Sequence, residues 1–293
     1  MTPPSFSIVT PSFQQGRFIR ATIDSVLSQA SAIDLEYFVA DGGSTDDTVA
    51  VLRSYGSALT WVSERDGGQA DAVNKGLRRA TGRIIGWLNS DDVYEPGALA
   101  SALRIFEAHS DVDVVYGCAD YIDESGRRLG EYRVQPFDHE LLKRECFIAQ
   151  PALFFRREVV ERFGEIDPGL HYALDYEYWL RLAAGGARFH FLQQRLASCR
   201  VHPAAKTESG KMTHSRECIA VTQRHAGTSP PWLFQNIGKE GAARVGLDIE
   251  RHPFLYRAVA SIGMYGAVLA YAPRELPQVL RWQWGRHWGA NRG

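Results

Sequence analysis

Ile84-Ile85-Gly86-Trp87-Leu88-Asn89-Ser90-Asp91-Asp92 is an apolar run that ends abruptly in four polar residues. This layout predicts a buried strand from Ile84 to Leu88, with its polar groups just beyond the carboxyl end. The pattern recurs upstream: Phe6 to Thr10 is stopped by Pro11-Ser12, and Leu35 to Ala40 by Asp41-Gly42-Gly43-Ser44, while Leu59 to Val62 reads as a third strand. Helical spacing fills the gaps. Phe18, Ile19, Ile23, Val26 and Leu27 predict one helix, and Ser44 or Thr45 can cap a second carrying Val49 and Leu52. Gly67-Gly68 opens a third helix running to about Ala80. Pro96 suits the first turn of a helix through Leu99, Leu103 and Phe106, and Val112 to Tyr116 closes the series. Strands alternating with helices of this length imply an α/β fold, a mainly parallel sheet flanked by helices, with ligands bound beyond the strand carboxyl ends.

Composition narrows the classes. The 293 residues include 33 basic and 34 acidic side chains, a net charge of −1, with 45% hydrophobic and 11% aromatic residues. A disordered or collagen-like chain is excluded, and the missing basic excess argues against nucleic acid as a partner. Cys118, Cys146, Cys199 and Cys218 form no CxxC and no zinc-like spacing, so ordinary reduced thiols are expected. Met1-Thr2-Pro3-Pro4-Ser5 lacks the basic and apolar regions of a signal peptide, which predicts a cytoplasmic protein. No GxGxxG follows the first strand and no GxxxxGK[ST] occurs, which removes most support for dinucleotide binding or a P-loop.

Asp91-Asp92 stands out against that background. Adjacent carboxylates on a loop after a buried strand make a hard oxygen site suited to Mg²⁺ or Mn²⁺ carrying a diphosphate. The competing reading is a helix cap ahead of Val93-Tyr94-Glu95-Pro96, because Asp is a common cap.

Four segments together settle that balance. Ser7-Ile8-Val9-Thr10-Pro11-Ser12-Phe13, the block from Tyr37 to Thr48 around Asp41-Gly42-Gly43-Ser44-Thr45-Asp46-Asp47, Asn74-Lys75-Gly76 with Ala80-Thr81-Gly82, and Trp87-Leu88-Asn89-Ser90-Asp91-Asp92 occur in order. Together they resemble the family 2 glycosyltransferases of GT-A fold. The resemblance implies a Rossmann-like GT-A domain over residues 1–210, divided into a nucleotide-sugar half (1–117) and an acceptor half (118–210). By this resemblance Thr10, Pro11, Ser12 and Asp41 hold the nucleotide base, with Asp41 accepting a base N–H. Asn89-Ser90-Asp91 occupies the DxD position, with Asn in place of the first Asp. Asn89 and Ser90 are then donor contacts, and Asp91, with Asp92, carries the metal. Within Gly67-Gly68-Gln69-Ala70-Asp71-Ala72-Val73-Asn74-Lys75-Gly76, Val73 replaces an Arg that many members carry. Gly68, Gln69, Asp71 and Lys75 then serve the base and phosphates, against the alternative that Lys75 is a solvated helix residue.

The second half is expected to supply the acceptor side and the base. In His171-Tyr172-Ala173-Leu174-Asp175-Tyr176-Glu177-Tyr178-Trp179 a loop leads into an amphipathic helix, where Asp175 reads as an N-cap or as a general base. The resemblance favours the base, since Asp175 matches the second position of the family's Glu-Asp motif while Leu174 replaces the Glu. Gln150, opening Gln150-Pro151-Ala152-Leu153-Phe154-Phe155-Arg156, is expected to face the acceptor. Arg200-Val201-His202-Pro203, followed by Lys206-Thr207, resembles the carboxyl-terminal His motif of GT-A enzymes, which makes His202 a metal ligand beside Asp91.

Residues 211–293 read as a helical extension. From Arg251 onward six arginines face Glu275 alone, a net of +5 that leaves −6 for residues 1–250. Pro253 and Pro273 bracket Phe254 to Ala272, 19 residues with Arg257 as the one charge, close to the roughly 20 that a spanning helix needs. Leu276, Leu280, Trp284 and Trp288 then recur every four residues beside Val279, a pattern suited to a membrane interface or to packing against protein.

These observations predict an inverting glycosyltransferase, assisted by Mn²⁺ or Mg²⁺. It would move a sugar from a nucleotide-diphosphate sugar, UDP favoured, to a glycan or lipid-linked acceptor in polysaccharide or cell-envelope biosynthesis. The extension over 274–293 would sit on the inner face of the membrane. A nucleotidyltransferase and a catalytically silent GT-A-like binding module are the alternatives. The first would need a basic Gly-rich loop after strand one, where this chain offers only Arg17.

Overall fold

The computed structural model describes residues 4–206 and 210–289. They divide into two compact units, one of Met1–Leu142 with Cys146–His202, the other of Lys143–Glu145 with Pro203 onward.

The first unit is built on nine strands. β1 (Phe6–Ser12), β2 (Leu35–Asp41), β3 (Thr60–Ser63) and β4 (Ile84–Trp87) form a parallel set, with α1 (Ile19–Leu27), α2 (Thr48–Ser54) and α3 (Gln69–Arg79) as crossovers. Then come β5 (Val93–Tyr94), α4 (Ala98–Ala108), β6 (Val114–Ile122), β7 (Arg128–Glu131), α5 (His139–Leu142), β8 (Leu153–Arg156), α6 (Glu158–Phe163), α7 (Leu174–Ala184) and β9 (Phe189–Arg200). The sheet order is β3-β2-β1-β4-β8-β6-β9-β5, with β7 paired to β6. β8 is antiparallel to both β4 and β6, while β9 runs parallel to β6. The sheet is thus mainly parallel, as expected, and β5, β7 and β8 add the antiparallel pairs that make it mixed. Leu153, Phe154 and Phe155 are all buried, because β8 has neighbours on both edges and side chains on both faces of the core. Each such side chain contributes about 1.5–3 kcal/mol by leaving water.

Local chemistry moves some helix starts from their expected places. α2 begins at Thr48 because Asp46 Oδ1 accepts its N–H at 3.0 Å, so neither Ser44 nor Thr45 is the cap. α4 begins at Ala98, which leaves Pro96 outside the helix. α3 begins directly after Gly68, whose φ of 108° suits a residue without Cβ.

The second unit is helical: α8 (Lys211–Ala226), α9 (Pro231–Arg244), α10 (Pro253–Tyr271) and α11 (Leu276–Gly289). Pro231 and Pro253 open their helices, where a missing N–H costs nothing. α9 and α10 meet at Gly238, where a Cβ would overlap the Ala260 carbonyl. α10 is long and apolar enough to cross a membrane by length and composition, with a mean hydropathy of 1.2. Met264, Ala267 and Val268 are buried, whereas Phe254, Leu255, Ile262 and Leu269 are exposed, Phe254 by 87%. On α11 Val279 points inward, while Leu280, Arg281 and Trp284 are exposed. Thr207, the side chains of Arg286 and Trp288, and Arg292 lie outside the described residues. None of the four cysteines forms a disulfide.

Candidate active site

The polar residues of the first unit collect at strand ends. Ser12 O accepts from Gly42 N at 2.8 Å, joining the ends of β1 and β2. Gln14 holds the two following loops together: its Oε1 accepts from Thr45 N and Asp46 N, both at 3.1 Å. That grip keeps Gln14 at φ 55°, a conformation that costs a non-glycine residue on the order of 1 kcal/mol. Phe13 beside it is 60% exposed, an aromatic face at the lip of the strand ends that sequence reasoning did not single out.

Asp41 is buried and accepts four hydrogen bonds. Its Oδ2 accepts from Ser44 N (2.9 Å), Gly43 N (3.2 Å) and Ser63 Oγ (2.6 Å), and its Oδ1 from Ser44 Oγ (2.5 Å). The carboxylate thus shapes the β2 loop and ties it to β3. Thr10 is also buried, its hydroxyl 3.1 Å from Tyr37 Oη in the core, and Pro11 beside it is buried too. Ser12 Oγ is buried without a hydrogen-bond partner.

The start of α3 carries its own acids. Gly68 N donates to Asp66 Oδ1 at 2.9 Å and Gly67 N to Asp71 Oδ2 at 3.0 Å, just ahead of the helix. Lys75 Nζ lies 3.0 Å from Glu64 Oε1 and 3.6 Å from Asp71 Oδ2. Burial opposes its charge, but the Glu64 hydrogen bond and the surrounding carboxylates outweigh it and hold the ammonium above its ordinary pKa. His171 comes close to Gly68, bringing the loop before α7 to this corner.

The acidic loop is braced from β9. Arg200 Nε donates to Asp91 O at 2.8 Å and Arg200 N to Asp92 Oδ1 at 2.9 Å. The Arg200 guanidinium also lies over the Phe18 ring and donates to Asp123 O. Two residues on, His202 Nε2 lies 3.1 Å from Asp91 Oδ2, while Phe18 packs against the imidazole. Asp91 remains partly accessible at 21% of its side chain, whereas His202 shows 3%. Ser90 and Asp92 are buried. Burial and the Asp91 charge push the Asp92 carboxyl well above the usual carboxylate range, against the pull of Arg200 N–H and the Asn89 amide. Asp92 thus faces the protein, and Asp91, in contact with the buried His202 imidazole, is the accessible carboxylate. A cation between them fits this donor set: one carboxylate oxygen and one imidazole nitrogen, already adjacent, leave the remaining positions to diphosphate oxygens or water. Among the described residues no group of three or more His, Cys, Asp or Glu is arranged to hold a metal by protein ligands alone.

Asp175 lies in the first turn of α7, half-buried, where its charge complements the helix dipole. Its Oδ1 accepts from Tyr176 N at 2.8 Å. Arg181 pairs with Glu177 within the helix at 3.0 and 2.9 Å, and the helix is anchored by Arg181 donating to the Phe163 and Glu165 carbonyls and by Tyr176 Oη donating to Leu142 O at 2.7 Å. Burial first, then the charges of Asp92, Asp91 and Asp175, pushes the Cys199 thiol up, so all three carboxylates bear on one point of β9. Gln150 is buried, and its Nε2 donates to Trp87 O at 2.6 Å. Arg200 and the Trp87 indole are parts of the site whose roles sequence reasoning missed. Arg200 stood inside a quoted motif, but nothing in linear sequence marks a backbone brace.

A cavity of about 430 Å³ opens beside this site between α1, β9 and the β6–β7 hairpin, sharing Phe18 and Arg200 with it. Its charges are largely paired internally: Asp120 bonds Arg128 and Arg195, and Arg17 bonds Glu124.

A parallel β3-β2-β1-β4 set, an antiparallel β8 and an acidic loop after β4 define the GT-A fold. The chain superposes on Staphylococcus aureus TarS 1–349 in complex with UDP-GlcNAc, with a TM-score of 0.61 and 15% identity over 94% of this chain and 79% of that one. It matches a mannosyltransferase of Pyrobaculum calidifontis in complex with GDP-Man and Mn²⁺ equally well, at 0.61 and 20% identity over 95% and 84%. The profile of Glycosyl transferase family 2 matches residues 7–164, and the chain belongs to that family. It is a glycosyltransferase. An uncharacterised glycosyltransferase of Rickettsia prowazekii is 27% identical, covering 70% of this chain and 67% of its own. One from Mycobacterium tuberculosis is 32% identical over 61% and 69%.

Proposed function

We propose that this enzyme transfers a sugar, with inversion, from a nucleoside-diphosphate sugar to a hydroxyl of a glycan or lipid-linked acceptor in polysaccharide or cell-envelope synthesis. The observation that carries the reading is the contact between Asp91 and His202 at the strand carboxyl ends, beside the β1 and β2 loops that would receive the nucleotide. UDP is the favoured nucleotide. Ser12, Phe13 and the Asp41 loop would receive the base, with Gly68, Asp71 and Lys75 toward the phosphates.

Asp91 and His202 would hold Mn²⁺ or Mg²⁺, with Asp92 bracing the loop behind them. When bound, the cation supplies charge stabilisation to the departing nucleoside diphosphate. Asp175 takes the proton from the acceptor hydroxyl. The hydroxyl oxygen forms its bond to the anomeric carbon on the face opposite the leaving phosphate oxygen, whose bond to that carbon breaks. One displacement inverts the configuration. The exposed apolar side of α10, with Leu280 and Trp284 of α11 and the arginines near them, would rest on the inner face of the cell membrane.

A thermal-shift panel tests the donor reading, because a ligand that binds only the folded chain raises its melting temperature. UDP-, GDP- and dTDP-sugars are compared with and without Mn²⁺. Stabilisation by one nucleotide class that grows with Mn²⁺ supports the reading; no stabilisation by any of them rejects it.

A further inference from the structure

Asn89 uses its whole carboxamide inside the protein. Its Oδ1 accepts from Gln69 Nε2 at 2.8 Å and from Trp87 Nε1 at 3.0 Å. Its Nδ2 donates to Gln150 Oε1 at 2.9 Å and to the Asp92 carboxylate. A carboxamide has two lone pairs and two N–H groups, so every position is filled. Gln150 Nε2 closes the circuit on Trp87 O at 2.6 Å. Both ends of the circuit set its polarity. The indole can only donate and the backbone carbonyl can only accept, which fixes the orientation of both amides.

The circuit ties three elements to the acidic loop that carries Asp91. Gln69 begins α3, Trp87 ends β4, and Gln150 opens the turn into β8. Through Asp92 it reaches Arg200 N, two residues before His202. Asp92 N also donates to Asn89 O at 3.1 Å, so residue 89 holds the acidic loop by backbone and side chain.

We propose that Asn89 is a positioning residue that sets Asp91 and His202 for the cation-bound donor, and that position 89 requires a carboxamide rather than a carboxylate. The proposal rests on the donor-site reading above. An Asp at 89 would enrich the loop to Asp-Ser-Asp-Asp and so read, in sequence, as a stronger cation site. In the circuit it does the opposite. A carboxylate has no N–H to give, so it would set lone pairs against Gln150 Oε1 and against the buried Asp92 carboxyl. Loop 89–92 would have to shift, carrying Asp91 away from His202.

The test is isothermal titration of the full-length chain with UDP-N-acetylglucosamine and with GDP-mannose, each with and without Mn²⁺ and with no acceptor present. Asn89→Asp and Gln150→Leu are compared with the wild type, with melting temperatures measured alongside. Asn89→Asp is expected to bind the donor about tenfold or more weakly in Mn²⁺, with no gain in affinity for Mn²⁺ alone, in the range seen when supports of metal ligands are removed. Gln150→Leu, which keeps every carboxylate, is expected to weaken the same binding; a residue that only touched acceptor would leave it unchanged. Tighter binding of Mn²⁺ or donor by Asn89→Asp overturns the proposal. So do variants that melt lower yet bind as the wild type does. If Asn89→Asp does not fold, the Gln150→Leu result decides. Failure of the wild type to bind either donor rejects the donor-site reading and this proposal with it, whereas wild-type binding with unaffected variants rejects this proposal alone.

Discussion

His202 Nε2 lies 3.1 Å from Asp91 Oδ2 although 111 residues of chain separate them. The contact depends on Arg200, which bonds the backbone of Asp91 and the side chain of Asp92 and so registers β9 against the acidic loop. Asp91→Ala is expected to lower donor affinity in Mn²⁺ by about tenfold or more, near 1.4 kcal/mol, and to leave the metal-free affinity almost unchanged. His202→Ala should act in the same direction. Calorimetric titration with and without Mn²⁺ checks both; an equal loss in the two conditions rejects the metal role.

Asp175→Asn keeps the shape of the side chain and removes its basicity. Turnover is expected to fall by about 10² to 10⁴, the usual range for a positioned base, with donor affinity close to wild type. Steady-state rates and donor titration on the same preparation separate the two effects. Loss of both together would count against Asp175 as the base.

Glu177 is 2% exposed and relies on the Arg181 fork, which also donates to the Phe163 and Glu165 carbonyls. Arg181→Ala should destabilise the chain by about 3–5 kcal/mol, because it removes the fork that pairs with a buried carboxylate. Arg181→Lys should recover only part, since an ammonium cannot reproduce the planar fork. Urea unfolding curves measure both, and a change within about 0.5 kcal/mol for the alanine variant would refute the argument.

The β6–β7 turn supplies a pH dependence. Asp123 Oδ1 accepts from Ser125 Oγ, Ser125 N and Arg127 N at 2.6, 2.9 and 2.9 Å, which holds the carboxyl at about 2. The unfolded value is about 3.9, so the folded chain prefers the ionised form. The resulting stability is present above about pH 4 and is lost as pH falls through about 2. Between those limits Asp123→Asn should lose less stability than the wild type, and urea midpoints at both ends of the window test it. Equal slopes would exclude the contribution.

Ile262 is 72% and Trp284 67% exposed, on helices whose exposed sides are otherwise apolar with arginines nearby. Ile262→Glu, or Leu280→Glu with Trp284→Glu, should reduce recovery of the protein with vesicles containing anionic phospholipid. Deletion of 274–293 should do the same. Unchanged cosedimentation in all three would reject a membrane contact.

Much of this protein can be read from the chain alone, because local patterning carries it. Apolar runs ending in Thr10-Pro11-Ser12, Asp41-Gly42-Gly43-Ser44 and Asn89-Ser90-Asp91-Asp92 place the parallel strands and the polar rim, since a buried strand must be apolar and must end where polar groups begin. The family follows from the same segments in order. Linear sequence does not say which atoms in that rim are free. Asp41 and Asn89 look like ligand contacts in the sequence, and in the fold their side-chain oxygens also accept from Ser44, Ser63, Gln69 and Trp87. Asp91 and Asp92 are equivalent neighbours in the chain, but the fold turns one toward His202 and buries the other under Arg200 N. Hydrogen-bond capacity is finite, and partners tens of residues distant decide where it goes. Sequence thus determined the strands, the polar rim and the family, whereas only the tertiary structure decided which of those polar groups face outward and which hold the site in shape.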